Sequence, residues 1–264
     1  MSEHTERFTG RVEDYERYRL RYPVEVIRIL TERCGLVREH LVADIGAGTG
    51  LLAGLFLENG NAVVAVEPND EMRRACEKLA SAWPGLTVKK ATAEATGLEG
   101  ASVDFVAVGR AWHWFDRERA VVEFRRILRP GGWLVLATNR RAKDDSAEAK
   151  AYENILTEFG TDYRELQQVY RVYDEMAPVF GEGAVVREAI GGEQALTLDE
   201  FLGQTQSISV APMPGDAKYE GMQGALRSFF ARFQRDGVLR MGTVCSVMAC
   251  QVSASNCGDN LSDR

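Results

Sequence analysis

The residues best suited to chemistry are one acid and three glycines at alternate positions. Asp44, Gly46, Gly48 and Gly50 stand in the run LVADIGAGTGLL, residues 41–52. Leu41, Val42, Ala43 and Ile45 read as a short buried strand, and Leu51, Leu52, Leu55 and Phe56 follow at helical spacing. The pattern predicts a strand, a tight glycine turn and a helix start. Glycine accepts positive φ there and has no Cβ to hold a ligand off the main chain. The helix start adds unpaired N–H groups. Such a turn suits a nucleotide-like ligand held against backbone. A second acid, Glu67, follows the apolar run AVVAV at 62–66 and lies seventeen residues beyond Gly50. A carboxylate at a strand end can accept both hydroxyls of a ribose.

Dinucleotide enzymes place their third glycine three positions after the second. Here that position is Leu51, and the third glycine comes at Gly50. Asp44 also stands where a pyrophosphate would gain nothing from a negative charge. The D-x-G-x-G-x-G run instead resembles the first motif of class I S-adenosylmethionine-dependent methyltransferases. In that family the glycines lie against the methionine part of the cofactor. The acid stands near its amino group or orders the turn through water. The resemblance implies S-adenosylmethionine as cofactor and S-adenosylhomocysteine as product. It places Asp44, Gly46, Ala47, Gly48, Gly50, Glu67 and Pro68 around them.

Three further stretches carry the resemblance. Met72 matches the family residue that packs on adenine, with core filler as the alternative. Ala91-Thr92-Ala93-Glu94 replaces the commoner G-D-A-E, so Thr92 stands where an acid would meet the adenine amino group. The backbone of Thr92 and Ala93 is still expected beside adenine, and Glu94 either holds its own loop or touches the ligand. After an expected strand at 103–108 come Gly109, Arg110 and then Ala111-Trp112-His113-Trp114-Phe115. This A-x-H-W-F run is similar to a subgroup that includes trans-aconitate methyltransferases. Leu128-Arg129-Pro130-Gly131-Gly132, read as a turn before the fifth strand, is another family hallmark.

Open parallel sheets bind ligands outside the carboxyl ends of their strands, which puts 109–115 at the reaction site. Gly109 is assigned to the cofactor, and Arg110, Trp112 and Trp114 to the substrate. His113 is the candidate base or substrate-orienting residue; the alternative is a wall residue bonded to backbone. Arg110, Arg140 and Arg141 follow the fourth and fifth strands. An arginine there could grip a substrate carboxylate in a bidentate pair, and Arg140 is assigned that role with Arg110. Near the N-terminus, Tyr15, Tyr18, Arg19 and Tyr22 share one face if the segment is helical. It is then either a solvated amphipathic lead-in or a lid, with Tyr18 and Arg19 toward substrate.

These residues need a scaffold, and the strand and helix signals supply one. The expected fold is α/β: a Rossmann-like, mostly parallel seven-stranded sheet of order 3-2-1-4-5-7-6. Its last strand is antiparallel, helices flank it, and a helical cap follows the fifth strand. All 264 residues read as a single domain. Residues 1–35 form N-terminal lid helices, 36–138 a cofactor-binding half and 139–184 the cap. Residues 185–252 complete the sheet, and 253–264 are a flexible tail.

The formal net charge of −7 disfavours a protein that tracks nucleic acid. No apolar run reaches membrane-spanning length. No metal ligand set stands at recognisable spacing. Five cysteines, Cys34, Cys76, Cys245, Cys250 and Cys257, form no C-x-x-C pair and read as reduced thiols, with pairing among the last three left open. The expectation is a cytoplasmic monomer or homodimer that methylates a small molecule. The alternatives are an NAD(P)-dependent oxidoreductase and a non-catalytic binding protein of the same fold.

Overall fold

The computed structural model describes residues 12–165 and 184–251. In chain order the elements are α1 (Val12–Tyr18), α2 (Glu25–Cys34), β1 (Leu41–Ile45), α3 (Leu51–Asn59), β2 (Ala62–Val66), α4 (Asp70–Ala80), β3 (Leu86–Lys89), β4 (Val103–Gly109), a single 3-10 turn (Trp112–Trp114), α5 (Arg117–Ile127), β5 (Leu128–Arg141), α6 (Ala147–Phe159), β6 (Val185–Leu196), α7 (Leu198–Gln206), α8 (Tyr219–Phe233) and β7 (Leu239–Gln251). They divide between two compact units. A sheet unit comprises described residues 22–138, 184–189 and 246–251, and a helical unit comprises 12–21, 139–165 and 190–245.

The strands order as β3-β2-β1-β4-β5-β7-β6, as the resemblance implies. β1 pairs in parallel with β2 from Leu41↔Ala62 to Ile45↔Val66, and with β4 from Val42↔Phe105 to Asp44↔Ala107. The β2–β3 and β4–β5 pairs are also parallel. β7 runs the other way along β5. Near one end of β5 the Gln251 side-chain amide donates to Gly131 O at 3.0 Å, and just past the other Ala142 N–H donates to Gly242 O at 2.8 Å.

β1 is the point where the chain order reverses, with β2 and β3 on one side and β4 and β5 on the other. The turns that leave β1 and β4 therefore share one crevice. Beneath it Ile45, Val106, Val108, Phe124, Ile127, Leu134 and Leu136 form a buried apolar core. Strands buried on both faces read as continuous apolar runs for this reason.

Several local expectations shift. The cap of α4 is Asn69: its side-chain oxygen accepts the N–H groups of Glu71 and Met72, each at 3.0 Å. Asp70 pairs with Arg73 and Lys90, each at 2.8 Å. Residues 128–132, expected as a turn, belong to β5. The register against β4 shifts between Val103 and Phe105, and Gly131 takes φ +80°. A Cβ on Gly132 would sit 2.9 Å from the carbonyl oxygens of Arg129 and Asp104, so the irregularity needs its glycines. α1 ends at Tyr18, so Tyr22 lies beyond the helix and off the face that Tyr15 and Tyr18 were expected to share with it.

In the helical unit, Tyr152 of α6 meets Phe201 of α7 and Phe229 of α8 at ring distances of 5.6 and 5.7 Å. Thr197 and Glu200 close a capping box at the start of α7. Of the expected cap, α6 is described. Gly181 and Gly183, residues 1–11 and the tail at 253–264 lie outside the described residues. Cys34, Cys76, Cys245 and Cys250 are buried free thiols; Cys257 is outside the described residues. No helix among the described residues is long and apolar enough to cross a membrane.

Candidate functional site

Within the sheet unit, the turn after β1 is fastened to β2. Val66 O accepts the N–H groups of Gly46 and Ala47 at 2.9 and 3.2 Å. Gly46, Gly48 and Gly50 have φ of +68°, +59° and +88°. Residues with a Cβ visit this region at a cost of about 1–2 kcal/mol each, so all three positions favour glycine. Their surroundings differ. A Cβ on Gly46 would strike Ala111 Cβ at 2.5 Å and Phe115 at 3.1 Å, which locks the turn against the run that follows β4. A Cβ on Gly50 would meet Leu79 and Cys76 of α4 at 2.8 and 3.0 Å. Gly46 and Gly50 are thus demanded by packing. A Cβ on Gly48 would have nothing within 4 Å, so the open face of the turn is at Gly48.

Two acids flank that face. Glu67 accepts the Gly48 N–H through Oε2 and the Asn69 N–H through Oε1, both at 2.8 Å. Burial raises its pKa, opposed by these two amides and by Arg73. Asp44 is fully buried, and neither carboxylate oxygen has a hydrogen-bond partner. Burial pushes its pKa to about 7. The Ala53 amide opposes the rise without reaching hydrogen-bond geometry, and the neighbouring Glu67 adds to it. A buried acid left so costly to ionise is a site for a cation. Thr49, between Gly48 and Gly50, also has a buried hydroxyl with no partner. Nothing in its sequence context marks it, since a Thr inside a glycine run reads as a spacer.

The other residues expected around the cofactor lie on neighbouring turns. Pro68 is half-buried after Glu67, and Met72 is buried in the first turn of α4. Thr92 is exposed and Ala93 buried in a turn where Ala95 N–H donates to Thr92 O at 3.3 Å. Glu94 accepts the Asp116 N–H at 2.9 Å, so it holds its loop to the start of α5. Gly109 ends β4, and a Cβ there would lie 2.7 Å from the Tyr22 hydroxyl. That hydroxyl makes a long 3.4 Å contact to Ala137 O. Tyr22 thus joins the carboxyl ends of β4 and β5. Sequence spacing assigned it to a helical face and missed this role.

Arg110 sits at φ +60°, an uncommon conformation for a side-chain-bearing residue and one that clusters at functional sites. The run after it divides. Trp112, expected against substrate, is corrected to a core residue. It is 1% exposed and packs its ring on Phe115 and Phe124 at 6.1 and 6.2 Å. The 3-10 turn sends alternate rings to opposite sides. His113 and Trp114 are half-buried with rings 4.4 Å apart.

The remaining expected residues belong to the helical unit. Tyr18 lies flat on Gly203 of α7, where a Cβ would overlap its ring, and its carbonyl accepts the Gln204 side chain at 3.2 Å. Arg19 stacks over Tyr15 at 4.9 Å and reaches the Ser207 carbonyl and hydroxyl at 3.4 Å each. Arg140 is exposed. Its neighbour Arg141 is turned inward, its side chain 17% accessible. Alternation along a strand sends successive side chains to opposite faces, so one of the pair had to be buried.

A glycine cradle open at one point, a buried orphan carboxylate beside it and a second carboxylate at the end of β2 fit a nucleoside carrying a cationic amino acid. The strand order and the helices that flank it are those of the Rossmann-like methyltransferase fold. Residues 43–136 match the family model of a methyltransferase domain. An uncharacterised methyltransferase of Mycobacterium tuberculosis is 43% identical over 134 residues, 51% of this chain and 52% of that protein. The chain thus spans about half the length of that relative. An uncharacterised methyltransferase-like protein of Schizosaccharomyces pombe is 28% identical over 80% of this chain and 81% of its own. Among solved structures, one from Anaeromyxobacter dehalogenans assigned to the type II methyltransferases shares the fold. It has a TM-score of 0.65, 24% identity, and coverage of 89% of this chain and 99% of that one.

Proposed function

We propose that this chain transfers a methyl group from S-adenosylmethionine to a small-molecule acceptor that carries a carboxylate. The observation that supports this best is Asp44, a buried carboxylate without a hydrogen-bond partner beside the open face of the turn at Gly48. A dinucleotide would bring phosphate to that turn and be repelled. A cofactor with an ammonium group supplies the missing counter-charge.

When bound, S-adenosylmethionine supplies an electrophilic methyl group. Asp44 holds its amino-acid end, Glu67 accepts its sugar hydroxyls, and the Gly48 main chain lets it approach. His113 and Trp114 supply half-buried rings that shield the acceptor from water and orient it. A carboxylate acceptor is already a nucleophile, so the chain's task is positioning, and His113 needs to take no proton. A net charge of −7 argues for a free metabolite over nucleic acid.

Calorimetry with S-adenosylhomocysteine and NAD tests the cofactor, and label transfer from methyl-labelled S-adenosylmethionine to a panel of metabolites tests the reaction. Binding of the first nucleoside only, with label appearing on a carboxylate, is expected. No binding of S-adenosylhomocysteine by folded protein overturns the proposal.

A further inference from the structure

The helical unit holds a half-buried arginine with one buried donor unsatisfied among the described residues. The Arg141 guanidinium lies 3.7 Å from the centroid of the Tyr152 ring, its Nε buried with no hydrogen-bond partner. Its ion pair among the described residues is with Glu153, Nη2 and Oε2 3.6 Å apart and too far for a hydrogen bond, and Asp144 and Glu148 act on it at longer range. The other oxygen of Glu153 is already engaged: it accepts the Tyr163 hydroxyl at 2.7 Å and Lys143 Nζ at 3.3 Å. Arg141 and Lys143 thus both lie beside Glu153.

The platform beneath this arginine is rigid. Thr205 spends its hydroxyl hydrogen on Phe201 O at 3.0 Å, so the buried Tyr152 hydroxyl is the donor in their 2.8 Å bond. The Tyr152 ring packs against Phe201 and Phe229, which stack on each other 5.4 Å apart. Stacking occupies a face of the guanidinium and leaves its edge N–H groups directed outward in a fork that matches two carboxylate oxygens. An arginine serving stability alone would have its buried Nε donor satisfied, because an unsatisfied buried donor is costly.

We propose that Arg141, stacked on Tyr152, is the centre of a carboxylate-binding site within the helical unit. Glu153 acts as a positioning residue that keeps the guanidinium on the ring without using its donors. Arg140, to which sequence spacing gave the role, is the exposed member of the pair.

The test is calorimetric titration of glutarate and citrate into the full chain, with and without saturating S-adenosylhomocysteine. Glutaramide and inorganic phosphate serve as comparison ligands. The wild-type protein is expected to bind at least one of the carboxylates and to prefer glutarate over glutaramide. Arg141→Gln should weaken that binding at least tenfold while S-adenosylhomocysteine affinity stays within twofold. Arg141→Lys, which keeps charge but loses the fork, should recover only part of the loss, and it replaces the Gln variant if that one fails to fold. Arg232→Gln, which removes an exposed arginine beside Phe233, should bind as wild type.

Unchanged carboxylate binding in Arg141→Gln overturns the proposal. So does a wild-type protein that binds neither carboxylate, or that binds phosphate as well as glutarate. Loss of S-adenosylhomocysteine binding in the wild type strikes at the cofactor reading instead, and the titrations without it still decide on Arg141.

Discussion

Glu67 accepts the Gly48 N–H at 2.8 Å across nineteen residues of chain, so the acid expected to hold a sugar also sets the shape of the glycine turn. Its other oxygen holds Asn69, the cap of α4. Each oxygen keeps a second lone pair for a hydroxyl. Glu67→Ala frees two backbone amides at once and should cost about 1–3 kcal/mol in urea unfolding. Glu67→Gln keeps the shape, loses the charge and can accept through one atom only. Its S-adenosylhomocysteine affinity should fall at least about tenfold, since hydrogen bonds to a charged acceptor are roughly twice as strong as neutral ones. An affinity equal to wild type would remove Glu67 from the site.

The turn glycines should separate by phenotype. Gly46→Ala forces a methyl to 2.5 Å from Ala111 Cβ at a positive φ, and should lose roughly 2–4 kcal/mol of stability from clash and strain together. Gly48→Ala meets nothing within 4 Å; its cost is the strain alone, about 1–2 kcal/mol. It should fold, yet lose cofactor binding because the added methyl occupies the open face. A thermal melt and a calorimetric titration on both variants check this. Stable, binding-competent Gly46→Ala would mean the packing against 111–115 is not what demands glycine.

What sequence spacing made legible here was largely backbone. The acid, the three glycines and the apolar strands are local signals, and β2 falls on the residues expected. Side-chain destination was less legible. Trp112 and Trp114 are two residues apart in one short run, and only the 3-10 turn between them decides which faces Phe124. Arg140 and Arg141 are identical in type and adjacent, so strand alternation says that they part without saying which is buried. Tyr22 was grouped by helical spacing with Tyr18, but α1 stops at Tyr18 and frees it to reach Gly109. In each case a contact distant in sequence chose between equal local readings.

Arg110 carries backbone strain that a glycine would not. At φ +60°, Arg110→Gly should gain up to about 1 kcal/mol from relief of the left-handed conformation, less the entropy that glycine adds to the unfolded chain. If the side chain serves the acceptor, the same variant should turn over more slowly despite being at least as stable. Arg110→Ala keeps the strain and isolates the side chain. Equal turnover in both variants would leave the strain without a functional account.

The two tryptophans give a direct test of the core assignment. Trp112→Ala opens a cavity among Phe115, Phe124 and their neighbours and should cost about 3–5 kcal/mol. Trp114→Ala, from a half-buried position, should cost roughly 1–2 kcal/mol by lost apolar area and reduce methyl transfer more than stability. Denaturant midpoints and turnover, measured together, distinguish the two. The reverse pattern would return Trp112 to the substrate wall.

Asp44 ties stability to cofactor binding through one proton. Its pKa is 3.8 when unfolded and about 7 when folded, because burial penalises the charged form. Between these values the folded state holds the proton and the unfolded state does not. The stability this group contributes is therefore complete below about pH 4 and is lost as pH rises through about 7, with roughly 4 kcal/mol at stake. Asp44→Asn should abolish that slope and make the ligand-free protein more stable at pH 8. A cationic ligand needs the ionised form, so S-adenosylhomocysteine affinity in the wild type should fall by up to about tenfold per pH unit below 7. Binding at pH 6 should then release close to one proton, which calorimetry in two buffers of different ionisation enthalpy reads directly. Asp44→Asn should bind weakly at every pH and release none. A wild-type affinity that is flat from pH 5.5 to 8 with no proton released would show that the orphan carboxylate is not the counter-charge of the cofactor.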